Sequence, residues 1–130
     1  MKAAEEAKRV LAEIRSANVL ASECPSRIVL QHLTSRWGTL VMIVLLTGTH
    51  RFSGIRRQIG GVSERMLAQT LQQLEGDGMI WRQAHDVVPP HVEYGLTPLG
   101  REAATRLMSL VGWIEGNLPE ILGNAPGRAA

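Results

Sequence analysis

Apolar residues recur at three- and four-residue intervals through most of the chain. Ala3, Ala7, Val10, Leu11 and Ile14, with charges between them, predict an amphipathic helix over Met1 to Leu20. Ser22-Glu23-Cys24-Pro25 interrupts that stripe, and Pro25, whose missing N–H would be unpaired in a first helical turn anyway, marks a new helix start. From Ile28 through Val29, Leu33, Trp37, Leu40, Val41, Val44 and Leu45 the spacing stays helical around a break at Ser35 to Gly38, so two short helices are expected. The β-branched run from Val41 to Leu46, taken alone, is equally compatible with a buried strand.

Thr47-Gly48-Thr49 is a turn, after which Phe52, Ile55 and Ile59 outline a short basic helix. Gly60-Gly61 ends it. Ser63 is a good N-cap for a helix running to about Glu75, stopped by Gly76-Asp77-Gly78. Met79 to Asp86 and Val92 to Thr97 read as strands, and the proline-containing Val87 to His91 between them makes a hairpin with a stiff tip. Pro98 opens a long helix with Ala103, Leu107, Leu110, Val111 and Ile114 in one stripe, interrupted near Leu118-Pro119.

Helix, glycine turn, helix, then a two-stranded hairpin is the order of a winged helix-turn-helix. The expected fold is therefore mainly α with a small β-hairpin (α+β), flanked by N- and C-terminal dimerisation helices. Its units are residues 1–22 (N-terminal dimerisation helix), 23–97 (DNA-binding domain), 98–122 (C-terminal dimerisation helix) and 123–130 (a frayed tail).

Composition narrows the picture. A chain of 130 residues, 45% apolar and 20% charged, has the size and balance of one folded domain. The longest apolar run, Leu40 to Leu46, falls far short of the roughly 18 residues a membrane span needs. Glu5, Glu6 and Glu13 among Lys2, Lys8, Arg9 and Arg15 do not resemble a targeting peptide, so a cytoplasmic location is expected. The net charge of +2 says little by itself. From His50 to Gln73, however, four arginines stand against one glutamate, and the basic charge is concentrated there.

On the helix from Ser63 to Glu75, Leu67, Leu71 and Leu74 share one side; at 100° per residue Arg65, Gln69 and Gln72 point almost oppositely, beside Ala68 and Gln73. Arginine grips guanine and glutamine grips adenine through paired hydrogen bonds, and a small alanine admits close approach or a thymine methyl. Arg65, Ala68, Gln69 and Gln72 are the candidate base readers. Arg51, Arg56, Arg57 and Ser63 are candidates for backbone phosphates, with Arg82 and His91 serving the wing. The plainer reading of such a face is a solvated helix surface; its place in the helix, turn, helix, hairpin order argues against that.

Cys24-Pro25, Trp37, Arg51-Phe52, Ile55-Arg56-Arg57, Val62 to Leu67, Leu74 to Ile80, Pro89-Pro90 and Val92 to Thr97 together resemble the HxlR-type family of bacterial winged-helix regulators over about Cys24 to Ile114. The resemblance implies a dimeric regulator in which the terminal helices form the interface, the Ser63 to Glu75 helix reads DNA and the Pro89-Pro90 hairpin is the wing. It also implies, for many relatives, sensing through the cysteine before the proline. His91 departs from the family, where a basic residue is common.

Cys24 carries a physical case of its own, since a thiol capping a helix feels the positive end of the helix dipole, which favours thiolate. As the only cysteine it has no internal disulfide partner, which leaves an intersubunit disulfide, a mixed disulfide or alkylation. A small, buried, inert thiol is the alternative. His32, His50, His85 and His91 lack the pairing on one helix face, or the carboxylate companions, of a metal site, so neither metal nor cofactor is expected. The expected partners are double-stranded DNA, a second copy of the chain through Val10, Leu11, Ile14, Leu107, Leu110, Val111 and Ile114, and an unidentified oxidant or small-molecule effector. No phosphate-binding loop or nucleophile elbow is present, and no enzymatic activity is expected. The competing reading is a winged-helix module that binds protein rather than DNA.

Overall fold

The computed structural model describes residues 2–13 and 19–124. Ile14 and the end of the chain after Asn124 lie outside them, and with them most of the expected tail. Helix α1 covers Lys2–Glu13, and every described side chain from Lys2 to Ala12 is exposed, Val10 and Leu11 included. Helix α2, Pro25–Thr34, begins with proline in its first turn and Cys24 as its N-cap.

A tight corner joins α2 to α3, Gly38–Leu45. Ser35 Oγ donates to His32 O and accepts from Gly38 N–H, both at 3.0 Å, and a side chain at Gly38 would run into the His32 carbonyl. The Val41 to Leu46 ambiguity resolves as helix, because Val41, Met42 and Leu45 are spaced to share one side of α3 and all are essentially sealed from solvent. At about 1.5–3 kcal/mol for each fully buried aliphatic side chain, that burial outweighs the strand preference of β-branched residues.

Strand β1, His50–Arg51, leads into helix α4, Phe52–Gln58, and then helix α5, Glu64–Gly76. The wing is β2, Ile80–His85, and β3, His91–Leu96, in antiparallel register with Ile80 opposite Leu96 and His85 opposite His91. The sheet has three strands rather than the two expected: β1 pairs on the other side of β3, with His50 opposite Tyr94 and Arg51 opposite Glu93. Two residues are too few to show an alternating pattern.

Helix α6, Pro98–Gly116, breaks at Asn117 and resumes as α7, Leu118–Asn124, matching the expected interruption. Asn117 Nδ2 donates to Trp113 O at 2.8 Å, satisfying a carbonyl at the end of α6. The core gathers Val41, Met42 and Leu45 from α3, Ile55 from α4, Leu67, Leu71 and Leu74 from α5, Tyr94 and Leu96 from β3, and Ala104 from α6.

Two joints set the wing against this core. At the end of α5, Met79 N–H returns to Leu74 O and Gly78 N–H to Glu75 O, while Gly78, at φ +77, turns the chain. At the start of α6, Thr97 Oγ1 accepts from Gly100 N–H at 2.9 Å and donates to Gly78 O at 2.6 Å, so one hydroxyl ties α6 to the loop leaving α5.

Candidate nucleic-acid interface

The segment between α4 and α5 is a compact turn. Ile59 and Val62 are buried in it, and Gly61, at φ +89, supplies a backbone conformation that side chains resist. Ser63 Oγ then accepts from Met66 N–H at 3.1 Å and caps α5, as its position predicts. Because the cap uses an oxygen lone pair, the Ser63 hydroxyl proton stays available to a phosphate.

Helix α5 is two-sided. Leu67, Leu71 and Leu74 are buried, and Thr70 is buried with its Oγ1 donating to Met66 O at 2.8 Å. Arg65, Ala68, Gln69 and Gln72 are all exposed, and Gln73 is half-buried at the margin. Sequence reasoning passed over Met66, which is 41% exposed on the flank shared with Gln73. Its signal was a large apolar residue off the leucine row, at the beginning of a helix whose other exposed positions are small or polar.

The phosphate candidates separate into kinds. Arg57 is exposed and forms no ion pair with any described residue, which leaves its guanidinium free for an anion. Arg56 is already engaged: Nε donates to Val62 O and Nη1 to Glu64 Oε1, each at 3.4 Å. It braces the turn while its side chain stays about half exposed. Between α4 and the start of α5 lies an open depression of about 420 Å³, lined by Phe52, Ser53, Arg56, Arg57, Gly60 and Glu64 among others. Arg51, at the N-cap of α4, and Arg82, on β2, are exposed.

His91 is placed differently from a free wing anchor. It is half-buried, and its ring stacks on His85 across the hairpin with centroids 4.7 Å apart. His85 Nε2 in turn lies against Glu93 Oε1. The expectation that the histidines lack a carboxylate companion is therefore corrected: a search along helix faces does not see residues that only strand register brings together.

Cys24 occupies the expected cap position of α2 but is buried, 5% exposed, and its side chain makes no capping hydrogen bond. On the same helix, His32 Nδ1 lies 2.6 Å from Asp77 Oδ2 at the C-cap of α5.

Of the expected interface residues, Val10, Leu11, Leu110 and Ile114 are exposed, whereas Leu107 and Val111 are half-buried and Leu107 packs on the core. Ile14 lies outside the described residues. Trp113, 60% exposed, and Met108 extend the apolar surface of α6. Among the described residues no single helix is long and apolar enough to cross a membrane.

Residues 32–121 match the family described as HxlR-like helix-turn-helix. The uncharacterized HTH-type transcriptional regulator YtfH of Escherichia coli K12 is 57% identical over 118 residues, covering 91% of this chain and 94% of the relative. The solved structure of ytfH from Salmonella typhimurium, also 57% identical, superposes with a TM-score of 0.79 over 82% of this chain and 96% of that one. The redox regulator HypR in its oxidized form is 33% identical and superposes with a TM-score of 0.66 over 72% of this chain and 97% of that one. With a two-sided α5, a basic helix before it and a hairpin after it, this winged helix-turn-helix chain belongs to the HxlR-like family of transcriptional regulators.

Proposed function

We propose that two copies of this chain bind an inverted-repeat operator, each placing α5 in a major groove, with the two centres about 34 Å apart. Residues 23–97 do the binding, and 1–22 with 98–122 provide the dimer contact. The observation that carries the reading is the division of α5: its buried side chains are Leu67, Thr70, Leu71 and Leu74, and Arg65, Ala68, Gln69 and Gln72 stand exposed on the other side. Arg57, Arg51, Ser63 and Arg82 supply the sequence-independent attraction, and Arg56 divides its charge between Glu64 and the DNA. The apolar surface of α6 around Leu110, Trp113 and Ile114, with α1, supports the dimer, since so much exposed apolar surface favours association. Such a protein works beside the chromosome, in the cytoplasm.

The effector reading rests on Cys24. A relative is described as a redox regulator, and here Cys24 occupies the N-cap position of a helix tied through His32 to the end of α5. With one cysteine in the chain, an oxidant would couple the thiol to the partner subunit's thiol or to a small thiol as a mixed disulfide, whereas an electrophile would alkylate it.

The test is selection of bound sequences from random duplexes, followed by Arg65→Ala and Gln69→Ala. Loss of sequence preference with an intact dimer is expected. If both variants keep the wild-type preference, Arg65 and Gln69 are not the base readers; if no duplex forms a salt-sensitive complex, the protein-binding module is the correct reading.

A further inference from the structure

Strand register places three metal-binding side chains on one face of the wing. His85 and His91 are directly opposed residues of β2 and β3, and Glu93 is two positions along β3 from His91. All three therefore lie on the side away from Ile80, Tyr94 and Leu96, which face the core. The imidazoles stack with 27° between their planes. One ligand atom from each of the three residues lies within 4.8 Å of the others.

His85 Nε2 is the telling atom. It is withdrawn from solvent and rests in ion-pair contact against the Glu93 carboxylate, without a hydrogen bond to any described residue. Among the described residues it is the only buried side-chain polar atom left without a hydrogen-bond partner. Two imidazoles and a carboxylate gathered this closely make a donor group suited to an electrophile.

We propose that His85, His91 and Glu93 hold a zinc-class divalent cation near the tip of the wing, where His85 and His91 close the hairpin. Two imidazoles and one carboxylate are a donor set for zinc, nickel or copper rather than for magnesium or calcium, which prefer oxygen throughout. Three protein ligands leave at least one coordination position for water. Bonds of about 2.0–2.2 Å bring neighbouring donors to roughly 3.3 Å from one another. The half-buried side chains reach that spacing by small rotations, without disturbing the strand ladder. Arg51, opposite Glu93 on β1, forms no ion pair with it, so the carboxylate is not already neutralised by that neighbour. The bound ion pins β2 to β3 beside the exposed Val87 to Pro90 tip and adds positive charge to an element that carries little of its own.

Chelator-stripped full-length protein titrated with zinc sulfate against a chromophoric competitor, alongside imidazole NMR, tests the site. One saturable equivalent per protomer is expected, with the His85 and His91 ring resonances shifting and those of His32 and His50 unmoved. His85→Ala, His91→Ala and Glu93→Gln each weaken binding at least about tenfold, given that loss of even a supporting partner typically costs that much. His32→Ala, His50→Ala and Cys24→Ser retain it. A wild-type protein without a saturable equivalent, shifts centred on His32 or His50, or unchanged affinity in the three site variants would show that the stacked pair and its carboxylate are only a hairpin brace. The wild-type NMR arm decides the matter even if a variant folds poorly.

Discussion

His32 Nδ1 meets Asp77 Oδ2 at 2.6 Å, joining the helix whose N-cap is Cys24 to the C-cap of α5. Both side chains are mostly buried, so the contact is screened less than a surface pair. Asp77→Ala removes it and leaves the His32 nitrogen unsatisfied. A loss of about 1–3 kcal/mol in urea unfolding is expected, with Asp77→Asn, which keeps an acceptor oxygen, losing less. Equal losses in the two variants would mean that the pairing is incidental.

Three glycines separate by what a methyl group would meet. At Gly100 the obstacle is the Met79 backbone, which cannot yield, so Gly100→Ala should leave little folded protein at ambient temperature. At Gly95 it is the indole of Trp81, itself partly exposed and able to turn outward, so Gly95→Ala is expected to fold with reduced stability and altered tryptophan fluorescence. Gly78→Ala meets no neighbour but must hold φ at +77, at a cost of about 1–2 kcal/mol. Thermal melts of the three variants rank them, and Gly100→Ala should be the least stable.

Arg57 and Arg56 should differ in DNA binding although they are adjacent. Arg57→Ala lowers the slope of log affinity against log salt by about one for each protomer, about two for the dimer, with unfolding unchanged. Arg56→Ala lowers stability as well, because it withdraws the brace to Val62 O and Glu64. Salt titrations and denaturation curves on both variants check the contrast.

Leu110→Asp combined with Trp113→Asp should yield a monomer by sedimentation with little change in protomer stability, since both side chains are more than half exposed within one chain. Operator affinity should fall about a hundredfold or more, because each half-site is then bound alone. A double variant that remains dimeric would place the interface elsewhere.

Much of this architecture is legible from residue order. The Pro25 start, the Ser63 cap, the Gly78 stop and the break before Leu118 all act through local backbone chemistry, which a single segment states by itself. The leucine row of α5 and its polar reverse follow from helix geometry alone. Less legible were features that depend on distant partners. The run from Val41 to Leu46 became a helix because α2, α5 and α6 surround it. β1 exists because β3 has a free edge. Met66 stood out only once the leucines were known to be buried, and the His85, His91 and Glu93 group emerged only from hairpin register.

The separation of duties on α5 bears on how such a protein changes over generations. Substitutions at positions 65, 68, 69 and 72 are nearly free of folding cost, so a duplicated copy can drift towards a new target while remaining a stable protein. Changes in the leucine row have no such freedom. One scaffold can in this way give rise to many regulators that differ in what they recognise and hardly at all in how they are built.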